Sequence, residues 1–351
     1  MNRLPAVALL AVVAAVPWLA PNDYVLHVAI MMLIWAFAYT SWSLMGRFFL
    51  VSLGHGGFMG IGAYGTVMLW NHFGVSPWLG VPLSLVLAAF FALAIGIPCF
   101  RFRITGHYFA LVTLAFAEIV RLVIVALRDH TGGSLGVTPK SALVDGASFS
   151  LTALQFADKT VWFYVALAVW LGGLAIWRAF DRSMLRYALE AAGQDEDAAA
   201  AIGVDVTRSK LTVTLISAVA TAFAGALYAQ YQLYINPETV SGIAISLQMV
   251  FAVIAGGMFS QLGPTVGAVV TLLLSESLRI FVGHDVHGLD GTIYGLLLVL
   301  FIIFMPDGIL GKLHALAKRW SGGVGPATAG SRRAVAGPGR AAADEAGPSP
   351  P

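Results

Sequence analysis

Residues 77–99 read Pro77-Trp-Leu-Gly-Val-Pro-Leu-Ser-Leu-Val-Leu-Ala-Ala-Phe-Phe-Ala-Leu-Ala-Ile-Gly-Ile-Pro-Cys99, without one charged side chain. As a helix rising 1.5 Å per residue this stretch covers about 34 Å. That is enough to cross the roughly 30 Å hydrocarbon core of a bilayer. Working outward, further hydrophobic runs lie at about 4–20, 24–45, 51–71, 105–127, 161–178, 211–233, 243–260, 264–282 and 288–305. The expected fold is an all-α integral membrane protein, a polytopic bundle of about ten transmembrane helices.

Composition agrees. The chain is 58% hydrophobic and 11% charged, against roughly 25% charged in soluble domains. A water-soluble globule of 351 residues could not cover so much apolar surface. The 38 glycines suit helices that pack closely in lipid. A net charge of +2 does not point to a nucleic-acid partner. Cys99 is the single cysteine, which excludes an internal disulfide and reads as a small buried hydrophobe. The run at 4–20 follows Arg3 and could be a signal-peptide core. Pro17 and Trp18 stand where a cleavage site wants small residues, so a retained first helix is the preferred reading.

With the N-terminus in the cytoplasm, ten crossings place Arg3, Arg47, Arg101, Arg103, Arg178, Arg182, Arg186, Arg208, Lys210, Lys312, Lys318 and Arg319 inside. Only Arg128, Lys140 and Lys159 fall outside. Shifting the phase by one helix inverts that asymmetry, so the positive-inside rule selects this orientation with both termini cytoplasmic. The transmembrane domain is then 1–319, with an outer loop at about 128–160 and a charged inner loop at about 179–210. Residues 320–351, rich in Gly, Pro and Ala, read as a disordered cytoplasmic tail.

The inner loop runs Arg186-Tyr-Ala-Leu-Glu190-Ala-Ala-Gly-Gln-Asp195-Glu-Asp197-Ala198-Ala199-Ala-Ala-Ile-Gly203-Val-Asp205-Val-Thr207. Glu, Ala, Leu and Arg favour helix, Gly203 supplies a left-handed stop, and Asp205 or Thr207 can cap the next helix. The expected product is one or two short charged helices ended by a tight turn. Small alanines there permit close approach by a partner, and the charges set register.

Asp197-Ala198-Ala199-x-x-x-Gly203 resembles the Glu-Ala-Ala-x-x-x-Gly coupling motif of ABC importer permeases, with Asp in place of Glu. Glu190-Ala191-Ala192 lies nearby, but a glycine follows it at once. Further stretches look like branched-chain amino acid permeases of the LivM type. They are 52–64 (Ser-Leu-Gly-His-Gly-Gly-Phe-Met-Gly-Ile-Gly-Ala-Tyr), 106–118 (Gly-His-Tyr-Phe through Glu118), 223–229 (Phe-Ala-Gly-Ala-Leu-Tyr-Ala), and Gly256-Gly257 through Gly263-Pro264 to Gly267-Ala268. The likeness spans about 24–311. It departs where the family has Gly-Pro-Tyr-Phe and this chain has Gly106-His107-Tyr108-Phe109, and where Arg-Pro-Arg-Gly is replaced by Met305-Pro306-Asp307-Gly308.

The resemblance implies an ATP-driven importer in a bacterial inner membrane. Its partners would be a second homologous permease subunit, two cytoplasmic ATPase subunits and an extracytoplasmic binding protein. Glu190, Asp197, Ala198, Ala199 and Gly203 would form the coupling element. The solute would be a branched-chain amino acid or another small polar solute, with urea, amides and other amino acids as alternatives.

Candidate path residues come from the chemistry of intramembrane groups. Gly56 and Gly60 stand one turn apart; close helix packing is the favoured reading, a broken helix near Ser52–Gly57 lining a path the alternative. His55 is either a packed, hydrogen-bonded histidine or a path-lining one. Glu118 and Arg121 would each cost about 2.5–3.5 kcal/mol unpaired at the bilayer centre. At i and i+3 they can neutralise one another, in a structural pair or on a path. The same spacing recurs weakly at Glu276 and Arg279.

No Gly-x-x-x-x-Gly-Lys-Ser/Thr and no His-Glu-x-x-His occurs. The chain itself is therefore expected to be no enzyme and to hold no cofactor, with ATP used by partner subunits. The rival reading is a secondary transporter driven by an ion gradient, with Glu118 and Glu276 as its only plausible ion-carrying acids. It leaves the charged inner loop without a purpose.

Overall fold

The computed structural model describes residues 11–19, 22–142, 149–282, 295–296, 300 and 308–312. The expected tail at 320–351, most of the run at 288–305 and the first ten residues lie outside the described residues.

Polar caps start the helices where apolar runs begin. Asn22 accepts from the Val25 amide at 3.0 Å and opens α1 (Asp23–Gly46). α2 (His55–Phe73) ends on Gly74 at φ +65°, a left-handed position that glycine occupies at no steric cost. Ser76 caps α3 (Pro77–Arg101), with proline at its first position, where no amide hydrogen is needed. α4 (Gly106–Ala126) follows. Asp158 caps α5 (Lys159–Asp181) by accepting from the Thr160 amide. Two short helices, α6 (Met184–Gln194) and α7 (Glu196–Ala201), precede α8 (Val206–Gln232). α9 (Gly242–Gly256) and α10 (Gly263–Val282) complete the described bundle.

Among the described residues six helical spans, one of them Pro237–Gly256, are long and apolar enough to cross a membrane, and a shorter apolar one spans Gly263–Leu278. Eight of the ten expected runs thus coincide with described helices, within a few residues at each end. α2 is the instructive case. It lies among α3, α4, α8 and α9, and every residue from His55 to Tyr64 is buried. A helix screened from lipid by its neighbours over this stretch can carry His55 without the desolvation penalty that lipid would impose; Asn71 and His72 stand at its far end, bonded to the Thr138 and His130 carbonyls.

α2 and α8 approach so closely that backbone meets backbone. A Cβ at Gly62 would lie 1.8 Å from the Ala222 carbonyl oxygen, and one at Gly225 would lie 2.1 Å from that of Met59. The two glycines are reciprocal notches, the small-residue packing that replaces a hydrophobic drive between helices in lipid. Around this crossing the core gathers Trp35, Tyr39, Met59, Tyr64, Tyr228 and Met249.

Contacts sort the connecting segments into two ends. At one end, Lys159 faces Asp23 at 3.5 Å. There Asn71 donates to the Thr138 carbonyl at 2.9 Å, and Val137 pairs with Ile235 in an antiparallel bridge. The loop before α5 also carries a short hairpin, Phe149–Ser150 with Gln155–Phe156, which the sequence reading left as loop. At the other end, Arg47 meets Asp181 at 3.2 Å and Arg103 meets Asp197 at 2.7 Å. Arg47, Arg101, Arg103, Arg182, Arg186, Arg208 and Lys210 all belong to this second, basic end. Helix alternation therefore separates the described cations into the two groups the orientation argument required.

Candidate functional site

At the basic end, Asp195 accepts from the amides of Asp197 at 2.9 Å and Ala198 at 3.0 Å, which starts α7. The helix stops where the Gly203 amide bonds the Ala200 carbonyl at 3.0 Å and the Val204 amide bonds that of Ala199 at 3.1 Å. This pair of bonds requires a left-handed residue between them, and Gly203 supplies it at φ +91°. Asp205 then accepts from the Arg208 amide at 2.9 Å and begins α8. Of the two caps considered for α8, the aspartate is the one used.

Charged pairs brace this hairpin. Asp197 takes the exposed Arg103 pair, a geometry worth about 0–1 kcal/mol. The Lys210 ammonium, with a side chain 7% exposed, bonds the Glu196 carboxylate. Glu190 accepts from Arg186 Nε at 2.7 Å, and Arg186 also reaches Asp181 at 3.0 Å. The Glu190 hydrogen bond raises the Arg186 pKa above its ordinary value. A chain of alternating charge thus runs Arg47, Asp181, Arg186, Glu190 from the end of α1 into α6, bordering a cavity of about 290 Å³.

Arg47 is buried, and its Nε and Nη2 have no hydrogen-bond partner. Its guanidinium carbon instead lies 4.3 Å from the Trp177 ring centroid, 4.8 Å from that of Phe48 and 5.0 Å from that of Phe180. Ring quadrupoles attract a cation at such distances and offset part of the desolvation cost. Burial still holds the Arg47 pKa below its ordinary value, against the pull of Asp181.

Within the 197–203 segment, Ala199 points inward and is buried, while Ala198, Ala200, Ala201 and Ile202 are exposed with Gly203. A Cβ at Gly203 would meet nothing within 4 Å. The hairpin therefore offers an open, small-residue surface on ion-paired supports.

The candidate path residues are distributed differently. His55 is buried, with Nε2 at 2.7 Å from Ser217 Oγ and Nδ1 at 3.1 Å from Ser52 Oγ. Its partners come from the connector before α2 and from α8, and its ring meets Trp42 and Phe58 edge-on. This geometry is that of a packed, hydrogen-bonded histidine. Gly56 and Gly60 abut the start of α9: their added Cβ atoms would lie 2.3 Å from the Gly242 carbonyl oxygen and 2.7 Å from Ser241 Cβ. Close packing accounts for both, and an irregular stretch does precede them, because α2 starts only at His55.

Glu118 and Arg121 form the expected pair, Arg121 Nε to Glu118 Oε1 at 2.9 Å. Arg121 Nη1 also reaches Glu238 at 3.2 Å, and its aliphatic stem lies against Gly242. The side chains of Glu118 and Arg121 stay 29% and 27% exposed, beside exposed Ile119, Leu122 and Val123. Glu276 accepts from the Tyr24 hydroxyl at 2.6 Å. The sequence reading missed the Arg47 relay and the Lys210–Glu196 brace. Their only signal was that both cations stand at helix ends.

The family model described as "Branched-chain amino acid transport system / permease component" matches residues 24–305. The chain is 34% identical over 279 residues to the high-affinity branched-chain amino acid transport system permease protein LivM of Escherichia coli. That match covers 74% of this chain and 64% of the relative. To the protein of the same name from Salmonella typhimurium it is 33% identical over 291 residues, 78% of this chain and 66% of the relative. A probable branched-chain amino acid transport permease protein LivH of Methanocaldococcus jannaschii is 25% identical over 259 residues, 72% of this chain and 80% of that protein. The chain thus spans just under two thirds of the length of the two bacterial relatives. No solved structure matches it. Those relatives are transport permease proteins rather than enzymes, and the match runs through nearly all the described helices. The chain belongs to the branched-chain amino acid transport system permease family.

Proposed function

We propose that this chain is the membrane-spanning permease subunit of an ATP-driven ABC importer that moves branched-chain amino acids, or a related small polar solute, inward. The observation that carries the reading is the hairpin at 184–205. Two short helices stop on a left-handed glycine, stand on ion-paired supports at the basic end, and expose a face of alanines. A soluble motor subunit can seat such a knob in a groove and move it as a rigid lever. The relay from Glu190 to Arg47 and the Lys210–Glu196 brace lead from that knob to α1 and α8.

In this reading two cytoplasmic ATPase subunits pull on the hairpin, and a second homologous permease completes a heterodimer. An extracytoplasmic binding protein delivers the solute. The part-exposed Glu118–Arg121 pair supports an outer face of α4 turned to the partner permease or to a wet path, because lipid would penalise it. The setting is a bacterial inner membrane with the basic end in the cytoplasm.

Two experiments test this. Uptake in vesicles is expected to stop when ATP is withdrawn and to persist when ion gradients are collapsed; the reverse pattern makes the chain a secondary transporter. Reporter fusions at Gly133 are expected to report the outside and fusions at Asp195 the inside. A cytoplasmic signal from Gly133 would invert the orientation and move the proposed knob away from any ATPase.

A further inference from the structure

Gln230 stands near the end of α8, two residues before its last, and is 3% exposed. Neither its amide nitrogen nor its amide oxygen has a hydrogen-bond partner. A buried polar group left unsatisfied is costly, so an amide orphaned at both atoms is a standing demand for a donor and an acceptor.

Two cavities meet at this side chain. One, of about 260 Å³, is lined by His27, Gln155, Lys159, Tyr231 and Gln232. The other, of about 510 Å³, is a groove walled by α3 (Pro82, Leu85) and α5 (Val165, Val169) and floored by Phe223 and Leu227 of α8. Gln230, Phe156 and Trp162 line both. Other polar side chains of the first cavity are already engaged: His27 with the Tyr231 hydroxyl at 2.6 Å, Gln155 with the Lys140 carbonyl at 3.0 Å, Lys159 with Asp23.

We infer that these two cavities form one site for a membrane phospholipid, its acyl chain in the groove and its glycerol-ester region on the Gln230 amide. Depth favours this occupant. Gln230 is within a turn of the helix end, the level at which ester groups lie. Trp78 and Trp162 flank it there, with their indole nitrogens donating to the Leu151 carbonyl at 2.7 Å and the Phe156 carbonyl at 3.1 Å, as in an interfacial aromatic belt. A transmembrane helix from a partner arrives with its backbone groups already satisfied and leaves the amide unanswered. An ester carbonyl accepts from the amide nitrogen, and a headgroup ammonium or hydroxyl donates to the amide oxygen. Lys159, which lines the smaller cavity, is placed to meet the phosphate, and Asp23 beside it can meet an ammonium headgroup.

The test uses full-length protein in its complex, purified in mild detergent, with bound phospholipid counted by native mass spectrometry. Wild type is expected to retain a phospholipid through detergent washing. Gln230→Leu, which removes the polar demand, is expected to lower that retention about fivefold or more, the ratio equivalent to one net hydrogen bond of about 1 kcal/mol. Adding vesicles of phosphatidylethanolamine and phosphatidylglycerol to delipidated samples should raise the melting temperature of wild type and leave the variant unchanged. Should Gln230→Leu fail to accumulate, Ala226→Leu, which narrows the groove floor without touching the amide, is expected to show the same loss. Equal lipid in wild type and variants overturns the assignment, as does a washed wild type with no lipid. A disulfide between cysteine placed at Leu85 and the second permease also overturns it, by putting a protein helix in the groove.

Discussion

Gly203→Val is expected to leave the protein inserted and accumulating while abolishing most ATPase stimulation by solute-loaded binding protein. The physical reason lies in one dihedral angle. Gly203 holds φ +91°, between the two backbone bonds that close α7, and a β-branched residue there is strained by about 1–3 kcal/mol. No atom lies within 4 Å of an added Cβ, so the penalty is conformational and not a collision. It falls on a turn in an exposed hairpin, away from the membrane core. The turn can relieve strain by opening, which releases the Val204–Ala199 bond and lets Ala198 to Ile202 swing from their supports. A motor docked on that face would then move the turn rather than the bundle. Gly203→Asn, which tolerates positive φ better than other residues, should retain most coupling. Gly193→Ala, also in open space but without positive φ, should behave as wild type. ATPase co-purification and stimulated hydrolysis are the measurements. Normal values for Gly203→Val would remove the coupling assignment.

Gly62→Val carries the opposite signature, loss of the folded protein itself. At this position a Cβ would sit 1.8 Å from the Ala222 carbonyl oxygen, and that oxygen belongs to helix backbone, which cannot rotate aside. The α2–α8 crossing would have to part, and Gly225 would then lose its fit against Met59. Overpacking a well-packed core typically costs about 1–3 kcal/mol. A backbone-to-backbone clash with no soft atom to yield belongs above that range, on the order of 4 kcal/mol. Loss on that scale consumes much of an ordinary stability margin. Gly172→Ala, where nothing lies within 4 Å, is the matched control and should accumulate normally. Size-exclusion profiles of both variants in detergent check the expectation; a monodisperse Gly62→Val at wild-type levels would show that the helices are not in contact there.

Part of the 195–205 turn was legible because its signals are local. A left-handed stop at Gly203, a cap at Asp205 and a helix through the alanines all follow from backbone propensities within a few residues. The Glu118–Arg121 pair was equally legible, since i, i+3 spacing places both on one face whatever surrounds them. His55 was not. Its choice between packing and path depended on Ser217, 162 residues away on α8, and no window of sequence contains both. Gln230 gave no signal at all: an ordinary glutamine near a helix end becomes unusual only when α3, α5 and the 149–156 hairpin close around it.

The division has one physical cause. Hydrophobic length and the bias of positive charge act on each segment separately, through its transfer into lipid, so sequence alone determined that the chain is a helical membrane protein and which loops share an end. Which glycine is a notch, which histidine is satisfied and which amide is orphaned depends on the particular neighbour that each helix meets. Lipid exerts no hydrophobic drive to choose among neighbours. That choice rests on close fit and hydrogen bonds between distant segments, and only the tertiary structure decided it.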